Sequence, residues 1–477
     1  MQHRLLTATL ALLGVMSLAL SAPRGVQTTI DTRLNDRALS GAAIGVMVQS
    51  LTTGEVWYER NATTALIPAS TAKLGTAMLA LEYLKPEYQF TTRLLTNGTR
   101  NGEKLEGDLY LCGAGDPSLV SADLVAMIKS LAVGDEGAGI PPLKQITGKL
   151  ILDGSFFPGN GALLGQGWAK GDLLWYYAAP SSALSLNRNE VKITVRGGAH
   201  GKPGQVTLDP PTTLFTIKND TVSSNKVTLG AINVTRTGTV VRITGNVAPG
   251  AELSERISAP DPGRYLAEQL RQALQQGGVT VGAVEFSAAP QGLRVLVEHH
   301  SAPLGALMQT MLKESDNHYA EQLHWTLLAL YSLAKPLDER YMALLQDFFN
   351  HSGMLLWGMQ LVDGSGLSRM NRLSPAALTR LLAYMASSPT YDVFYAALPI
   401  GGQDGTLRRR LNDTPASGNV HAKTGTMRGV SSLSGYVTTA GGERLAFAIM
   451  LNGYGNSSAA ARKLQDDIVA YLAGVND

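Results

Sequence analysis

The residues with the clearest capacity for chemistry are serines followed three positions later by a lysine. On a helix, residues three apart share a face, so the lysine amine can reach the serine hydroxyl. If burial lowers the pKa of that amine, it can take the serine proton. The spacing occurs at Ser70 and Lys73, at Ser223 and Lys226, and at Ser332 and Lys335.

The context of each serine separates these pairs. Ser70 follows Pro68 at the start of a predicted helix, where free backbone N–H groups can hold an oxyanion. Ser223 lies in a polar, turn-like stretch, and Lys335 precedes a proline, which disfavours a helical conformation. Ser70 is therefore the candidate nucleophile. The alternative interpretation of this serine is a helix N-cap.

Two further elements strengthen the candidate. Ser315-Asp316-Asn317 falls at a predicted junction between two helices, and Lys423-Thr424-Gly425 falls on a predicted strand. The glycine stands where a substrate backbone could approach closely. The Ser-x-Asn pattern is weak alone, because it recurs at Ser185, Ser223 and Ser417. Lys423-Thr424-Gly425 occurs once, and its alternative interpretation is an edge-strand lysine followed by a turn glycine. Their occurrence together, in this order and on a helix, a junction and a strand, is hard to reach by chance.

The sequence lacks the motifs of several other catalytic mechanisms. There is no Gly-x-Ser-x-Gly elbow followed by Asp and His, no His-Glu-x-x-His or comparable histidine spacing, and no Walker loop. We therefore predict no metal and no cofactor. A formal charge of +2 over 477 residues gives no electrostatic case for nucleic-acid binding, and 44% hydrophobic residues exclude a mainly disordered chain.

The segments that must position these residues follow from hydrophobic patterning. Ala42–Ser50 and Glu55–Tyr58 predict a β-hairpin, and a helix is predicted from Pro68 to about Leu84. Short alternating runs then predict a β-rich region up to about Pro290, with one clear helix at Pro262–Gln276. The end of the chain predicts three strands and a helix, at Asn419–Thr426, Val430–Thr438, Leu445–Leu451 and Ser458–Ala473.

The first residues predict export. Met1–Ala22 has a weak positive start, an apolar stretch at Leu5–Leu20 and a small-x-small site at Ala19-Leu20-Ser21, as in a cleaved secretory signal. An uncleaved anchor is the alternative. Cys112 is the single cysteine, so no intrachain disulfide can form.

The three motifs resemble the signature of the penicillin-recognising serine acyl-transferases. Ser315 lies 245 residues beyond Ser70, and so large an insertion is typical of low-molecular-mass class C penicillin-binding proteins, the type-4 D-Ala-D-Ala carboxypeptidase/endopeptidase family. Other stretches are similar to this family at Pro68–Thr71, Gly113–Leu119, Trp168–Asp172, Tyr177–Pro180, Asp363–Arg369 and Gly402–Leu407.

The resemblance implies an α/β, multi-domain fold. Residues 23–90 and 291–477 would form a serine β-lactamase/DD-peptidase-like transpeptidase domain, split by a β-rich insertion at 91–290 with two nested subdomains. Hydrophobic periodicity alone predicts only an α/β chain with a β-rich middle.

The resemblance also implies catalytic roles. Ser70 would attack the carbonyl of a D-Ala-D-Ala or D-Ala-diamino acid bond, and Lys73 would take its proton. Ser315 and Lys423 would relay a proton to the leaving amine, and Asn317 would hold the substrate amide. The backbone N–H groups of Ser70 and Thr426 would form the oxyanion hole.

Substrate-binding residues are implied on both sides of this centre. Lys423 and Thr424 would hold the terminal carboxylate, and the remaining implied contacts are Asp316, Gly425, Thr426, Asp172, Tyr177, Arg369 and Arg428. Asp172 and Arg369 would bind the diamino acid end, with Tyr177 as a wall; a surface carboxylate and a loop-fixing arginine are the alternatives. Arg428 replaces the uncharged polar residue expected there, which leaves the selectivity for the amino end of the stem peptide open.

The implied function is a periplasmic serine D-Ala-D-Ala carboxypeptidase and DD-endopeptidase that cleaves peptidoglycan stem peptides and is acylated by β-lactams. The expected partners are therefore stem peptides and β-lactam antibiotics, with no nucleic acid. The sequence leaves open the oligomeric state and any peripheral membrane contact. The alternative functions are a β-lactamase or esterase on the same catalytic frame, and a non-enzymatic penicillin sensor or wall-binding scaffold.

Overall fold

The computed structural model describes residues 22–134, 141–159, 161–225, 232–331, 336–352 and 359–476. The predicted signal segment Met1–Ala22 lies outside these ranges except for Ala22. Lys226 and the pair Ser332 and Lys335 also lie outside them.

The described ranges contain ten α-helices. They are α1 (Val26–Leu34), α2 (Lys73–Tyr83), α3 (Ser121–Ala132), α4 (Pro262–Gln276), α5 (Leu304–Lys313), α6 (Asn317–Leu330), α7 (Leu337–Ser352), α8 (Pro375–Ser387), α9 (Tyr391–Ala397) and α10 (Ser458–Ala473). None of these helices is both long and apolar enough to span a bilayer.

The same ranges contain nineteen strands. They are β1 (Ala43–Ser50), β2 (Val56–Arg60), β3 (Thr91–Thr96), β4 (Thr99–Asn101), β5 (Lys104–Glu106), β6 (Leu109–Cys112), β7 (Gln145–Ile146), β8 (Leu150–Asp153), β9 (Glu190–Arg196), β10 (Gln205–Asp209), β11 (Thr216–Ser223), β12 (Asn233–Thr237), β13 (Val240–Val247), β14 (Glu252–Ser258), β15 (Val284–Phe286), β16 (Arg294–His300), β17 (His421–Met427), β18 (Val430–Thr438) and β19 (Arg444–Asn452).

One five-stranded antiparallel sheet joins the two ends of the chain. Its order is β17-β18-β19-β1-β2, so the predicted hairpin and the three predicted C-terminal strands form a single sheet. β19 pairs with β1 so that Ala43 lies opposite Asn452 and Ser50 opposite Leu445. Most residues of β18 and β19 are buried, as expected for strands covered on both faces.

Helices cover both faces of this sheet. On one face, α1 and α10 pack through residues such as Ile30 and Ile468 against Phe447. On the other, α2, α5, α6, α7, α8 and α9 share a core that includes Met78, Leu312 and Leu382. Helix α2 lies in the middle of the domain and is buried on nearly all sides, as its apolar sequence requires.

The chain between α2 and α5 forms a second, β-rich unit. Its sheets have the orders β15-β8-β6-β3-β16, β4-β5-β7, β10-β9-β14 and β11-β13-β12. Helices α3 and α4 contribute to a core of their own, and α4 carries Tyr265, Leu266 and Leu270 into it. The predicted α/β class, with a β-rich middle, is confirmed.

The pairing of β16, the last strand of this unit, indicates where the unit ends in the sequence. β16 pairs antiparallel with β3, with Arg294 opposite Thr96 and His300 opposite Thr91. We therefore propose that the insertion runs from Thr91 to His300 and ends about ten residues later than predicted.

We expect the insertion and the split domain to unfold as separable units. Leu270→Ala removes a fully buried side chain from the insertion core and should destabilise that unit by about 2–5 kcal/mol. Leu382→Ala is the matched change in the other core. Differential scanning calorimetry checks this: each variant should lower a different transition. A common shift of one transition in both variants would contradict the proposed division.

Candidate active site

Ser70 lies on a strained turn that precedes α2. The predicted helix begins as a 3₁₀ turn at Ala69–Ala72, and regular α-helix starts only at Lys73. Ala69 has φ 48°, a left-handed conformation that costs free energy for a residue with a side chain. Thr71 Oγ1 donates to the Pro68 carbonyl oxygen at 2.7 Å. The turn is thus held by hydrogen bonds in a conformation that presents a half-exposed Ser70.

Lys73 lies directly behind Ser70 and has no exposed surface. Its Nζ contacts Ser70 Oγ at 3.1 Å, Asn317 Oδ1 at 2.6 Å and the Ser365 carbonyl oxygen at 2.7 Å. Burial lowers the pKa of Lys73 to about 8, against the opposing charges of Asp363 and other carboxylates. A minor fraction of the amine is therefore neutral at neutral pH, and this fraction grows as the pH rises.

The ammonium form of Lys73 can donate to all three partners, and the neutral amine can keep two of these hydrogen bonds. Asn317 Oδ1 and the Ser365 carbonyl accept only, so they take two N–H groups. In the neutral amine the remaining tetrahedral position is a lone pair, which can accept the hydroxyl proton of Ser70. The arrangement can activate Ser70 without any further side chain.

The Ser315–Asn317 segment joins α5 to α6, as predicted. Ser315 has φ 60°, and the Asp316 carboxylate caps α6 by accepting from the Tyr319 N–H at 3.1 Å. Arg188 Nη1, from the insertion, binds the other Asp316 oxygen at 2.9 Å. Asp316 therefore fixes this turn in place and ties it to the insertion.

Asn317 links the two parts of the chain at the centre of the site. Its Oδ1 accepts from Lys73, and its Nδ2 donates to the Tyr177 carbonyl oxygen at 2.8 Å. An amide nitrogen has two hydrogens, so one remains for a substrate carbonyl. The same side chain can thus orient Lys73 and bind substrate.

Lys423 is the second fully buried amine. Its Nζ contacts Ser315 Oγ at 2.8 Å and the Thr424 carbonyl oxygen at 2.9 Å. Burial, together with the charge of Lys73, lowers the pKa of Lys423 well below its ordinary value. Lys423 and Ser315 therefore form a pair that can pass a proton.

Strand β17 presents one free edge beside these side chains. It is an edge strand of the five-stranded sheet, and the N–H of Ala422 points away from β18, toward the Pro399 carbonyl oxygen. Backbone groups alternate along a strand, so the N–H groups of Thr424 and Thr426 face that same edge. The edge can pair with an extended substrate, and the Thr426 N–H can contribute to an oxyanion hole.

Gly425 lets β17 lie against the turn that carries Ser70. A Cβ at this position would be 2.6 Å from the Pro68 carbonyl oxygen and 3.0 Å from the Ser70 nitrogen. The sequence predicted a close approach by a substrate backbone here. In the structure the turn of the nucleophile also lies close to Gly425, and Ser432 Oγ on β18 donates to the Pro68 carbonyl oxygen at 2.5 Å.

The residues predicted to bind the diamino acid end occur as two contacting pairs. The Tyr177 hydroxyl donates to Asp172 Oδ1 at 3.0 Å, and burial together with this bond raises the pKa of Tyr177 to about 12. Arg369 Nη2 donates to the Arg428 carbonyl oxygen at 2.6 Å. Both guanidinium-bearing residues are exposed beyond the end of β17.

Two buried carboxylates beneath Lys73 were missed by the sequence prediction. Asp363 accepts from the N–H of Gly366 at 2.8 Å and from Trp168 Nε1 at 2.9 Å. Glu321 Oε1 accepts from the Ser365 N–H at 2.7 Å. Together they hold the loop whose Ser365 carbonyl accepts from Lys73. The similarity of the Asp363–Arg369 stretch to the family was the signal that could have pointed to this loop.

Thr406 was not among the predicted site residues, although it lies in another stretch that is similar to the family. Its Oγ1 is 2.8 Å from Thr424 Oγ1, which adds a hydroxyl to the place predicted for a carboxylate. Across the described ranges, no cluster of three or more His, Cys, Asp or Glu side chains is arranged to hold a metal ion.

Comparison with known proteins gives a consistent result. The model of the D-Ala-D-Ala carboxypeptidase 3 (S13) family matches residues 26–475. The chain is 33% identical over 462 residues to a D-alanyl-D-alanine carboxypeptidase of Actinomadura sp. (strain R39), covering 93% of this chain and 84% of that protein. It is 28% identical over 469 residues to D-alanyl-D-alanine carboxypeptidase DacB of Haemophilus influenzae, covering 96% and 95%.

A solved structure agrees with the sequence matches. The crystal structure of penicillin binding protein 4 (dacB) from Haemophilus influenzae is similar with a TM-score of 0.81 at 26% identity. The match covers 94% of this chain and 100% of that one. The similarity therefore extends over both the sheet domain and the insertion.

Gly366→Ala should displace the Ser70 turn. Gly366 has φ +82°, and a Cβ there would overlap the Ala69 carbonyl oxygen, so the turn must move. We expect a stability loss of about 1–3 kcal/mol and at least a tenfold slower reaction of Ser70 with a fluorescent penicillin. Gly238→Ala has a similar φ of +60° but open space around its Cβ. If both variants react at the rate of the unmodified protein, Gly366 does not position the turn.

Proposed function

The chain belongs to the D-Ala-D-Ala carboxypeptidase 3 (S13) family, and we propose that it hydrolyses the terminal peptide bond of peptidoglycan stem peptides through an acyl-enzyme on Ser70. It is a serine peptidase with D-alanyl-D-alanine carboxypeptidase activity, and the predicted type-4 family is confirmed. The residue roles below are our proposal. The observation that carries them is the buried amine of Lys73, bound by two acceptors and by Ser70 Oγ.

Acylation begins at Ser70. Neutral Lys73 takes the hydroxyl proton as Ser70 Oγ attacks the carbonyl carbon of the penultimate D-Ala. The backbone N–H groups of Ser70 and Thr426 stabilise the oxyanion, a contribution whose loss costs about 3–4 kcal/mol in comparable sites. The C–N bond then breaks, and the leaving amine takes a proton from Ser315, which recovers one from Lys423.

Substrate orientation uses both ends of the cleft. Thr424, with Lys423, holds the carboxylate of the leaving residue, and the Asn317 amide holds the acyl side. The pair of Asp172 and Tyr177 and the pair of Arg369 and Arg428 are proposed to receive the diamino acid, the carboxylate for its amine and the guanidinium groups for its carboxylate.

Water hydrolyses the acyl-enzyme, and a β-lactam stalls at that stage. The one carboxylic acid near Lys73 with an unpartnered buried oxygen among the described residues is Glu321. Burial raises the pKa of Glu321 to about 8, and its Oε1 is taken by the Ser365 N–H, so it is a poor base for activating water at neutral pH. This favours a peptidase that penicillin traps over a β-lactamase.

We further propose that the enzyme acts in the periplasm, where peptidoglycan stem peptides and their cross-links lie. Cleavage of cross-links, the DD-endopeptidase reaction, uses the same steps with a diamino acid as the leaving group. The β-lactamase or esterase function and the sensor or scaffold function remain as outcomes of the first experiment.

Treatment with a fluorescent penicillin, followed by intact-protein mass spectrometry, tests the nucleophile. We expect one stable adduct on the unmodified protein and none on Ser70→Ala, because Ser70 Oγ lies 3.1 Å from the Lys73 amine that would take its proton. Ser223→Ala is the control, since Ser223 lies on β11 of the insertion.

The outcomes of that experiment separate the alternatives. Consumption of the penicillin without an adduct would identify a β-lactamase. An adduct without cleavage of a stem pentapeptide would identify a sensor. No adduct and no consumption would overturn the assignment of Ser70.

The rate of acylation should rise with pH. Only neutral Lys73 can accept the proton, and its pKa is about 8, so the neutral fraction grows roughly tenfold per pH unit below this value and levels off above it. The second-order rate constant for penicillin, measured between pH 6 and 9.5, should follow this curve. Lys73→Arg should abolish acylation throughout, since arginine stays charged. A flat profile would remove Lys73 as the base.

A further inference from the structure

One end of the catalytic cleft widens into a cavity of about 480 Å³. The residues that line it are Ser70, Ser315, Thr406, Thr424, Thr426, Arg409, Arg410 and Arg462. The lining therefore consists of hydroxyl groups and guanidinium groups, and it includes no carboxylate among the described residues. Such a lining suits an anionic ligand.

Two of the three guanidinium groups in this cavity are free to bind an anionic ligand. Arg410 is committed to the protein, since its Nε and Nη2 donate to Asp466 Oδ1 at 3.0 and 2.7 Å. Arg409 and Arg462 are exposed, and neither has a carboxylate partner in the described part of the chain. The cavity thus carries two uncompensated positive charges beside the nucleophile.

The position of these charges assigns them to the leaving-group side. Thr424 and Thr406 contact each other through their hydroxyl groups, and Arg409 follows three residues after Thr406 in the chain. Asn317 and Tyr177, which face the acyl side, line a separate cavity of about 260 Å³ with Arg188. Arg409 and Arg462 therefore share a cavity with Thr424 and Thr406, where we propose that the leaving residue's carboxylate binds.

A single D-Ala leaving group does not need two further cations. It carries one carboxylate, for which Lys423 and the hydroxyl groups of Thr424 and Thr406 suffice. A cross-linked substrate differs, because its leaving amine belongs to a second stem peptide with carboxylates of its own, farther from the scissile bond. Those carboxylates fit a cationic surface that continues outward from Thr424.

We propose that Arg409 and Arg462 form a binding subsite for the second stem peptide of a cross-link, and so adapt the enzyme to DD-endopeptidase cleavage. This inference rests on the proposed acyl-enzyme function. The reaction balances as before: the C–N bond of the cross-link breaks, the amine of the second peptide leaves with a proton from the Ser315 and Lys423 pair, and water supplies the hydroxyl group that releases the acyl strand from Ser70.

The test compares two substrates on the full-length protein. One is a cross-linked muropeptide dimer, and the other is the monomeric pentapeptide ending in D-Ala-D-Ala. In the double variant Arg409→Gln and Arg462→Gln, kcat/KM for the dimer should fall about tenfold while kcat/KM for the pentapeptide changes less than about twofold, since exposed charge contacts contribute modestly. Raising the salt concentration should reduce dimer cleavage more steeply in the unmodified enzyme than in the double variant.

Arg408→Gln is the matched control, because Arg408 is an exposed neighbour that does not line the cavity. It should leave both reactions unchanged. Equal losses on both substrates in the double variant, or no loss on the dimer, would overturn the subsite. So would an unmodified enzyme that cleaves the pentapeptide but not the dimer. Failure of the proposed function itself is distinct, since the unmodified protein would then form no penicillin adduct and cleave neither substrate.

Discussion

The structure depends on burying two lysine amines in one place. An amine removed from water must be neutral, or its charge must be compensated by nearby groups. The two lysines of this site show both solutions. Lys73 has two acceptors and Ser70 around it, while Lys423 lies near enough for the charge of Lys73 to lower its pKa. The site therefore disfavours the state in which both amines are charged.

The hydrogen-bond partners around Lys73 come from different parts of the fold. The Ser365 carbonyl comes from a loop held by Asp363 and Glu321. Asn317 comes from α6, and its amide is shared with the Tyr177 carbonyl of the insertion. The insertion is thus more than an appended domain, since its backbone helps to orient the side chain that orients Lys73.

Much of this arrangement could be predicted from the sequence, for a definite reason. Helical and strand spacing place Ser70 beside Lys73 and put Lys423 on a strand, and these features are local. The contacts that could not be predicted are made by backbone groups or join distant residues. A carbonyl such as that of Ser365 leaves no trace in residue type, and Arg188 meets Asp316 across 128 positions. The packing of Gly425 against the Ser70 turn depends on β18 as well, so residue type alone could not predict it.

The pairing of β1 with β19 has a consequence for how the protein is made. The half of the site that carries Ser70 and Lys73 is synthesised early, but its sheet is completed only by strands from the last sixth of the chain. Such long-range pairing has a high entropic cost and forms late. A polypeptide that lacks these strands holds Ser70 and Lys73 without Lys423 and without the edge of β17 that lies beside them. The complete arrangement of Ser70, Lys73 and Lys423 therefore exists only once β17, β18 and β19 have joined β1 in one sheet.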